Sequence, residues 1–155
     1  MGKTKLYVSC RLENVDNLRL PGDDDWYFIL QCGNCGMNTD TEVYFNPVEE
    51  IEMEGSRGSA NYIAKCKSCE RKGSISFIKT APYLMKDNEE PQMIAEFECR
   101  GWELAEFCPK GGYICQSTES ETVFDDVDLQ EGDWAEYDDE GDVPVGIYDF
   151  KGYFE

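Results

Sequence analysis

With 155 residues, 41% hydrophobic and 13% aromatic, the chain has ample material for a buried core, which excludes a disordered polymer. A formal charge of -19 repels phosphate and argues against nucleic-acid binding, whose affinity comes mainly from Lys and Arg. The chain has no histidine, so every mechanism that uses imidazole as base, proton shuttle or ligand is excluded, Ser-His-Asp and Cys-His nucleophiles included.

In chain order the dominant period is two. Leu6, Val8, Cys10 and Leu12 alternate with polar residues, and Trp26, Phe28 and Leu30 do the same on the way into Cys32. Ile75 and Phe77, then Met93, Ala95, Phe97 and Cys99, and finally Gly146, Tyr148 and Phe150 repeat the pattern. Such alternation, rich in β-branched and aromatic residues, predicts half-buried strands. No stretch of about 12 residues holds an apolar stripe at i, i+3, i+4, i+7, so the expected class is all-β. Turns are expected at Pro21-Gly22-Asp23, Asn46-Pro47, Gly55 to Gly58, Lys86-Asp87-Asn88 and Pro109 to Gly112.

The polar run 85–92, with Pro91, is the expected connector between an N-terminal half, 1–84, and an acidic C-terminal half, 93–155. Both could also fold as one compact domain. A faint internal echo accompanies the division. Cys10-Arg11 precedes Val15 and Leu18 at the spacing by which Cys99-Arg100 precedes Leu104 and Phe107. Residues 116–155 carry 14 acids against the single base Lys151. Phe124, Val127, Leu129, Trp134, Ile147, Tyr148 and Phe150 are interleaved with those acids and should anchor the segment. Any disorder is expected only between Asp138 and Asp142.

The chemistry is concentrated in cysteine. Cys32-Gly33-Asn34-Cys35 and Cys66-Lys67-Ser68-Cys69 are two CxxC pairs, with 30 residues between Cys35 and Cys66. Two intervening residues let one turn aim both sulfurs at a single point, and Gly36 readily supplies the positive φ such a turn needs. Two such turns together offer a tetrahedron of sulfur to one Zn²⁺. The insertion is longer than in a simple zinc ribbon, but loop closure grows only logarithmically: doubling it costs about 0.6 kcal/mol. Structural zinc supplies on the order of 10 kcal/mol. A redox role for CxxC calls for a helix N-terminus in a βαβ setting, which the pattern lacks. Iron-sulfur spacings do not match either. Four thiolates leave two net negative charges on the centre. Lys65, Lys67, Arg71 and Lys72 flank the second pair and Arg57 lies upstream of it, as charge compensation or as a basic patch for an acidic partner.

Cys10 and Cys99 lie on apolar faces and read as small hydrophobes, while Cys108 and Cys115 are assigned no role. Asp125, Asp126, Asp128 and Glu131 fail the calcium-loop pattern, since Gln130 and Glu131 stand where a third acidic ligand and Gly belong. No segment has the length and apolarity to span a bilayer, and none reads as a secretory signal. The cytosol is therefore the expected compartment, with the nucleus also open, and its reducing conditions keep cysteines as thiols and ligands.

The words around the cysteines carry a wider likeness. They include Trp26-Tyr27, Leu30-Gln31-Cys32-Gly33-Asn34-Cys35-Gly36, Arg57-Gly58-Ser59-Ala60 and Lys65-Cys66-Lys67-x-Cys69. They continue with Glu96-Phe97-Glu98-Cys99-Arg100-Gly101, Leu129-Gln130-Glu131-x-Asp133-Trp134, Tyr137-Asp138 and Val145-Gly146-Ile147-Tyr148. In these words the sequence resembles the eukaryotic CXXC-motif-containing zinc-binding proteins, a family without an established activity. The resemblance implies an all-β fold of coiled, bifurcated antiparallel sheets in two similar halves. It also implies one zinc at Cys32, Cys35, Cys66 and Cys69.

The expectation is a monomeric zinc-binding module for protein interaction or metal handling. It would have no catalytic residues, a protein partner, and neither membrane nor nucleic acid as ligand. A thiol-disulfide protein and a nucleic-acid-associated zinc ribbon are the alternatives.

Overall fold

The computed structural model describes residues 2–19, 25–53, 55, 58–81, 83–84 and 88–155. The expected turn at Pro21-Gly22-Asp23, Arg57, and residues 85–87 of the expected connector lie outside them. Among the described residues every regular element is a strand and every strand pairing is antiparallel, so the class is all-β.

Two long strands form the axis: β1 (Gly2–Glu13) and β10 (Asn88–Arg100), paired antiparallel with Leu6 opposite Ala95. Each leaves the central sheet at a residue of positive φ. After Asn14, at 55°, the chain enters β2 (Val15–Arg19) of a second sheet, and after Gly101, at 81°, it enters β11 (Trp102–Cys108) of a third. Sharp corners of this kind let one continuous hydrophobic run serve two sheets.

Around the axis, β7 (Tyr62–Lys65), β8 (Lys72–Thr80), β14 (Trp134–Asp138) and β15 (Val143–Phe154) complete the order β14-β15-β1-β10-β8-β7. A sheet of β11, β3 (Trp26–Cys32) and β4 (Val43–Phe45) packs on one end of it. On the other lies a sheet of β13 (Val123–Val127), β12 (Tyr113–Ser117), β2 and β9 (Tyr83–Leu84). A small two-stranded sheet pairs β5 (Ile51–Glu52) antiparallel with β6 (Ser59–Ala60).

The first interface is aromatic. Phe28, fully buried on β3, meets Phe97 of β10 edge-on at 5.6 Å and stacks on Phe45 at 5.0 Å, and Phe77 meets Phe97 at 4.8 Å. Each fully buried ring of this size contributes about 1.5–3 kcal/mol by leaving water, and aromatic pairs add about 0.5–1.5 kcal/mol. The second interface gathers Val15, Leu18, Cys115, Val127, Leu129 and Ile147, with Tyr113 edge-on to Phe150 at 5.5 Å.

The predicted alternation holds along β1 and β3, where Leu6, Val8, Cys10, Leu12, Trp26, Phe28 and Leu30 are all buried. It slips in two places, and backbone irregularity explains both. In β10 the register jumps between Leu6 and Tyr7, whose partners are Ala95 and Met93, so the extra residue Ile94 is buried beside Ala95. In β15 the expected face of Gly146, Tyr148 and Phe150 is not one face. Val145 and Ile147 point into the core, then Asp149, at φ 56°, shifts the phase and returns Phe150 inward. Tyr148 faces outward, donates to Glu13 Oε1 at 3.2 Å and lies beneath the Arg11 guanidinium. Its ring also covers Gly146, where a Cβ would collide with it.

Residues 139–142 form the turn between β14 and β15. Asp138, 1% exposed, organises it: Ser117 Oγ donates at 2.5 Å, Ser120 Oγ at 2.7 Å, Thr122 Oγ1 at 3.2 Å and the Glu140 N-H at 3.1 Å. The Ser117 hydroxyl first, then that of Ser120, with the Gly141 N-H and the Thr122 hydroxyl, hold its carboxyl down at about 2.

Candidate metal centre

Strand alternation delivers the first sulfur. Trp26, Phe28 and Leu30 point inward along β3, and Cys32 is the next residue in phase, 2% exposed. The second pair arrives in the same way. Tyr62 and Ala64 of β7 share one face, and Cys66 follows in phase, 3% exposed.

Each strand then turns through a knuckle with the same hydrogen bonds. In the first, the Cys32 N-H donates to Met37 O at 2.9 Å and the Gly36 N-H to Cys32 O at 2.9 Å. In the second, the Cys66 N-H donates to Arg71 O at 2.9 Å and the Glu70 N-H to Cys66 O at 2.8 Å. Gly36 and Glu70 hold equivalent positions, both left-handed, with φ of 80° and 63°. Glycine meets that demand without strain, whereas Glu70 meets it with a Cβ in place.

The knuckles bring the four sulfurs within 4.8 Å of one another. Cys32 and Cys69 are 3.6 Å apart, as are Cys35 and Cys66. A tetrahedron of thiolates about 2.3 Å from a zinc ion has edges of about 3.8 Å, so the donor set fits one such ion. Backbone N-H groups also point at the sulfurs. Those of Cys35 and Asn34 lower the Cys32 pKa, the Asn34 N-H lying 3.4 Å away. The Asn34 side chain, with the Arg71 N-H, brings Cys69 down to about 6. The Met37 N-H acts the same way on Cys35, but desolvation and bonding to Cys66 and Cys32 outweigh it and raise that thiol to about 11. Thiolates this close repel, and a divalent cation at their centre is what allows all four to ionise. Among the described residues no other group of three or more cysteine or carboxylate ligand atoms converges in this way.

Residues 5–155 match the family described as CXXC motif containing zinc binding protein, eukaryotic. The chain belongs to that family. The human CXXC motif containing zinc binding protein is 42% identical over 99% of this chain and 98% of its own length, and the Xenopus laevis protein 38% over the same shares. A solved structure titled as the crystal structure of C1orf123 superposes with a TM-score of 0.89, at 40% identity over 99% of each chain. A hypothetical protein from Plasmodium falciparum superposes at 0.87, with 28% identity over the whole of both chains.

In this member of the CXXC zinc-binding family the four expected cysteines come together. Reading the sequence missed what holds the knuckles in place. The corner between β10 and β11 lies against both: Gly101 O accepts the Gly33 N-H at 2.9 Å, and Trp102 pairs with Cys32 across β11 and β3. The Trp102 indole donates to Ala64 O at 3.2 Å and covers Gly73, where a Cβ would meet Trp102 Cδ1 at 2.6 Å. Arg100-Gly101 stood among the family words, and the glycine there was the available signal.

The other four cysteines lie outside this cluster. Cys10, Cys99 and Cys115 are buried, and desolvation raises Cys99 to about 11 and Cys115 to about 12. Cys108 is half-buried, and desolvation with bonding to Glu42 raises it to about 11. Lys65, Lys67, Arg71 and Lys72 are exposed around the second knuckle.

Proposed function

We propose that this protein is a zinc-binding interaction or metal-handling module in which one Zn²⁺, held by Cys32, Cys35, Cys66 and Cys69, pins two distant turns together. The observation that carries the reading is the convergence of four sulfurs from two knuckles of equivalent hydrogen bonding. Membership of a family named for zinc binding supports the choice of ion. The zinc supplies charge neutralisation and cross-linking, and the N-H groups of Asn34, Cys35, Met37 and Arg71 hold the sulfurs toward it. In this reading the protein has no reaction of its own, acts as a monomer in the cytosol, and engages another protein. The thiol-disulfide alternative gains no support, because neither CxxC opens a helix.

Elemental analysis with thiol counting, followed by melting with and without a chelator, tests the proposal. The expected result is one zinc per chain, four protected thiols, and a large fall in melting temperature on metal removal. A metal-free native protein, or an unchanged transition after stoichiometric zinc removal, would overturn it.

A further inference from the structure

The four sulfurs of the metal centre are not equivalent. Cys32 and Cys66, which continue the inward faces of β3 and β7, are buried, whereas Cys35 is exposed and Cys69 half-buried. The close sulfur pairs cross between the knuckles, and each joins an outer cysteine to an inner one. Cys69 lies 3.6 Å from Cys32, and Cys35 lies 3.6 Å from Cys66. An accessible sulfur with a second sulfur in contact behind it is the arrangement in which a first oxidation resolves as a disulfide. Cys10, Cys99 and Cys115 are buried, and the half-buried Cys108 is bonded to Glu42. The outer cysteines of the two knuckles are therefore the thiols that an oxidant meets first.

We propose that the centre is a redox-gated zinc store, in which a peroxide joins Cys32 to Cys69 and Cys35 to Cys66. The donor set is dismantled while the two knuckles stay tied. An outer thiolate attacks one peroxide oxygen, the O–O bond breaks, and a sulfenic acid and a hydroxide form. The inner thiolate of the opposite knuckle then attacks that sulfur. An S–S bond forms, the S–OH bond breaks and a second hydroxide leaves. Each disulfide takes two electrons from its sulfurs and gives them to one peroxide, and two hydroxides replace the two thiolate charges. With its sulfurs consumed, the site no longer offers the deprotonated ligands that zinc requires. The cross-links join positions 37 and 31 residues apart, and closing loops of that length restricts the unfolded chain. The oxidised protein so keeps the junction that the cation otherwise makes. This switch rests on the zinc reading above and adds its regulation.

The test treats the full zinc-loaded chain with hydrogen peroxide, reads released zinc with a chromogenic chelator, and maps disulfides by mass spectrometry of unreduced peptides. Complete loss of bound zinc is expected, with Cys32–Cys69 and Cys35–Cys66 as the cross-links and full rebinding once dithiothreitol and zinc are added. The oxidised, metal-free chain should melt above the reduced, chelator-stripped chain. Cys108→Ser should release zinc as the wild type does. Zinc retained under peroxide, or cross-links confined to Cys32–Cys35 and Cys66–Cys69, would overturn the switch and leave the zinc reading standing. Oxidised protein that melts no higher than the stripped chain would overturn it too. A native chain purified without metal overturns the zinc reading itself, and the switch with it.

Discussion

Replacing Gly101 by alanine tests the link between the β10–β11 corner and the metal centre. Gly101 has φ of 81°, where a side chain costs about 1–2 kcal/mol. Its new Cβ would stand 3.1 Å from Gly73 Cα and 3.3 Å from Lys72 O, both backbone atoms that cannot swing aside. Overpacking of that kind costs about 1–3 kcal/mol, so the loss should reach roughly 2–5 kcal/mol. For a domain of this size that lowers the melting temperature by about 5–20 °C. The corner also carries the carbonyl that holds Gly33, one residue from Cys32, so zinc affinity in a chelator competition should fall roughly tenfold, equivalent to about 1.4 kcal/mol. Gly2→Ala, with open space around its Cβ, is the matched control and should change neither reading. Wild-type melting and wild-type zinc affinity for Gly101→Ala would refute the reasoning.

Three further outcomes follow from other parts of the molecule. Phe97→Ala empties the centre of the aromatic interface and should cost about 3–5 kcal/mol in urea unfolding; a loss under 1 kcal/mol would show that the rings do not hold the two sheets together. Asp138, held at about 2 against an ordinary 3.8, contributes stability that is complete above about pH 4 and lost as pH falls toward 2. Asp138→Asn should therefore flatten the acid limb of stability measured between pH 5 and 2, and an unaltered limb would remove the Ser117-Ser120-Thr122 account. The two knuckles should respond unequally to substitution at their left-handed residue. Gly36→Ala should lose about 1 kcal/mol, while Glu70→Gly, trading strain for chain entropy, should stay within about 0.5 kcal/mol of wild type in thermal melts; equal losses would refute their equivalence.

Much of the site was legible because its signal is local. Cys32 and Cys35, like Cys66 and Cys69, are spaced by what one turn can hold, and each pair follows a strand whose alternation already fixes which way the first sulfur points. Strand character was legible for the same reason: the inward residues of β1 and β3 can be read two at a time. Ile94 and Asp149 escaped because a bulge changes the phase without leaving a mark in hydrophobicity. Asp138 escaped because one carboxylate among 14 acids has no sequence feature to distinguish it; only the fold brings Ser117, Ser120 and Thr122 to its oxygens.

The sequence alone determined an all-β chain without imidazole chemistry and with four sulfurs spaced for a single cation, since each property depends on neighbours a few residues apart. The tertiary structure decided that β10 lies between β1 and β8, and that Gly101 and Trp102 lie against the knuckles. The physical reason is that strand pairing joins backbone groups far apart along the chain. Any exposed strand edge offers the same N-H and C=O groups, and the choice among edges falls to the packing of side chains such as Phe28, Phe45 and Phe97 between the sheets.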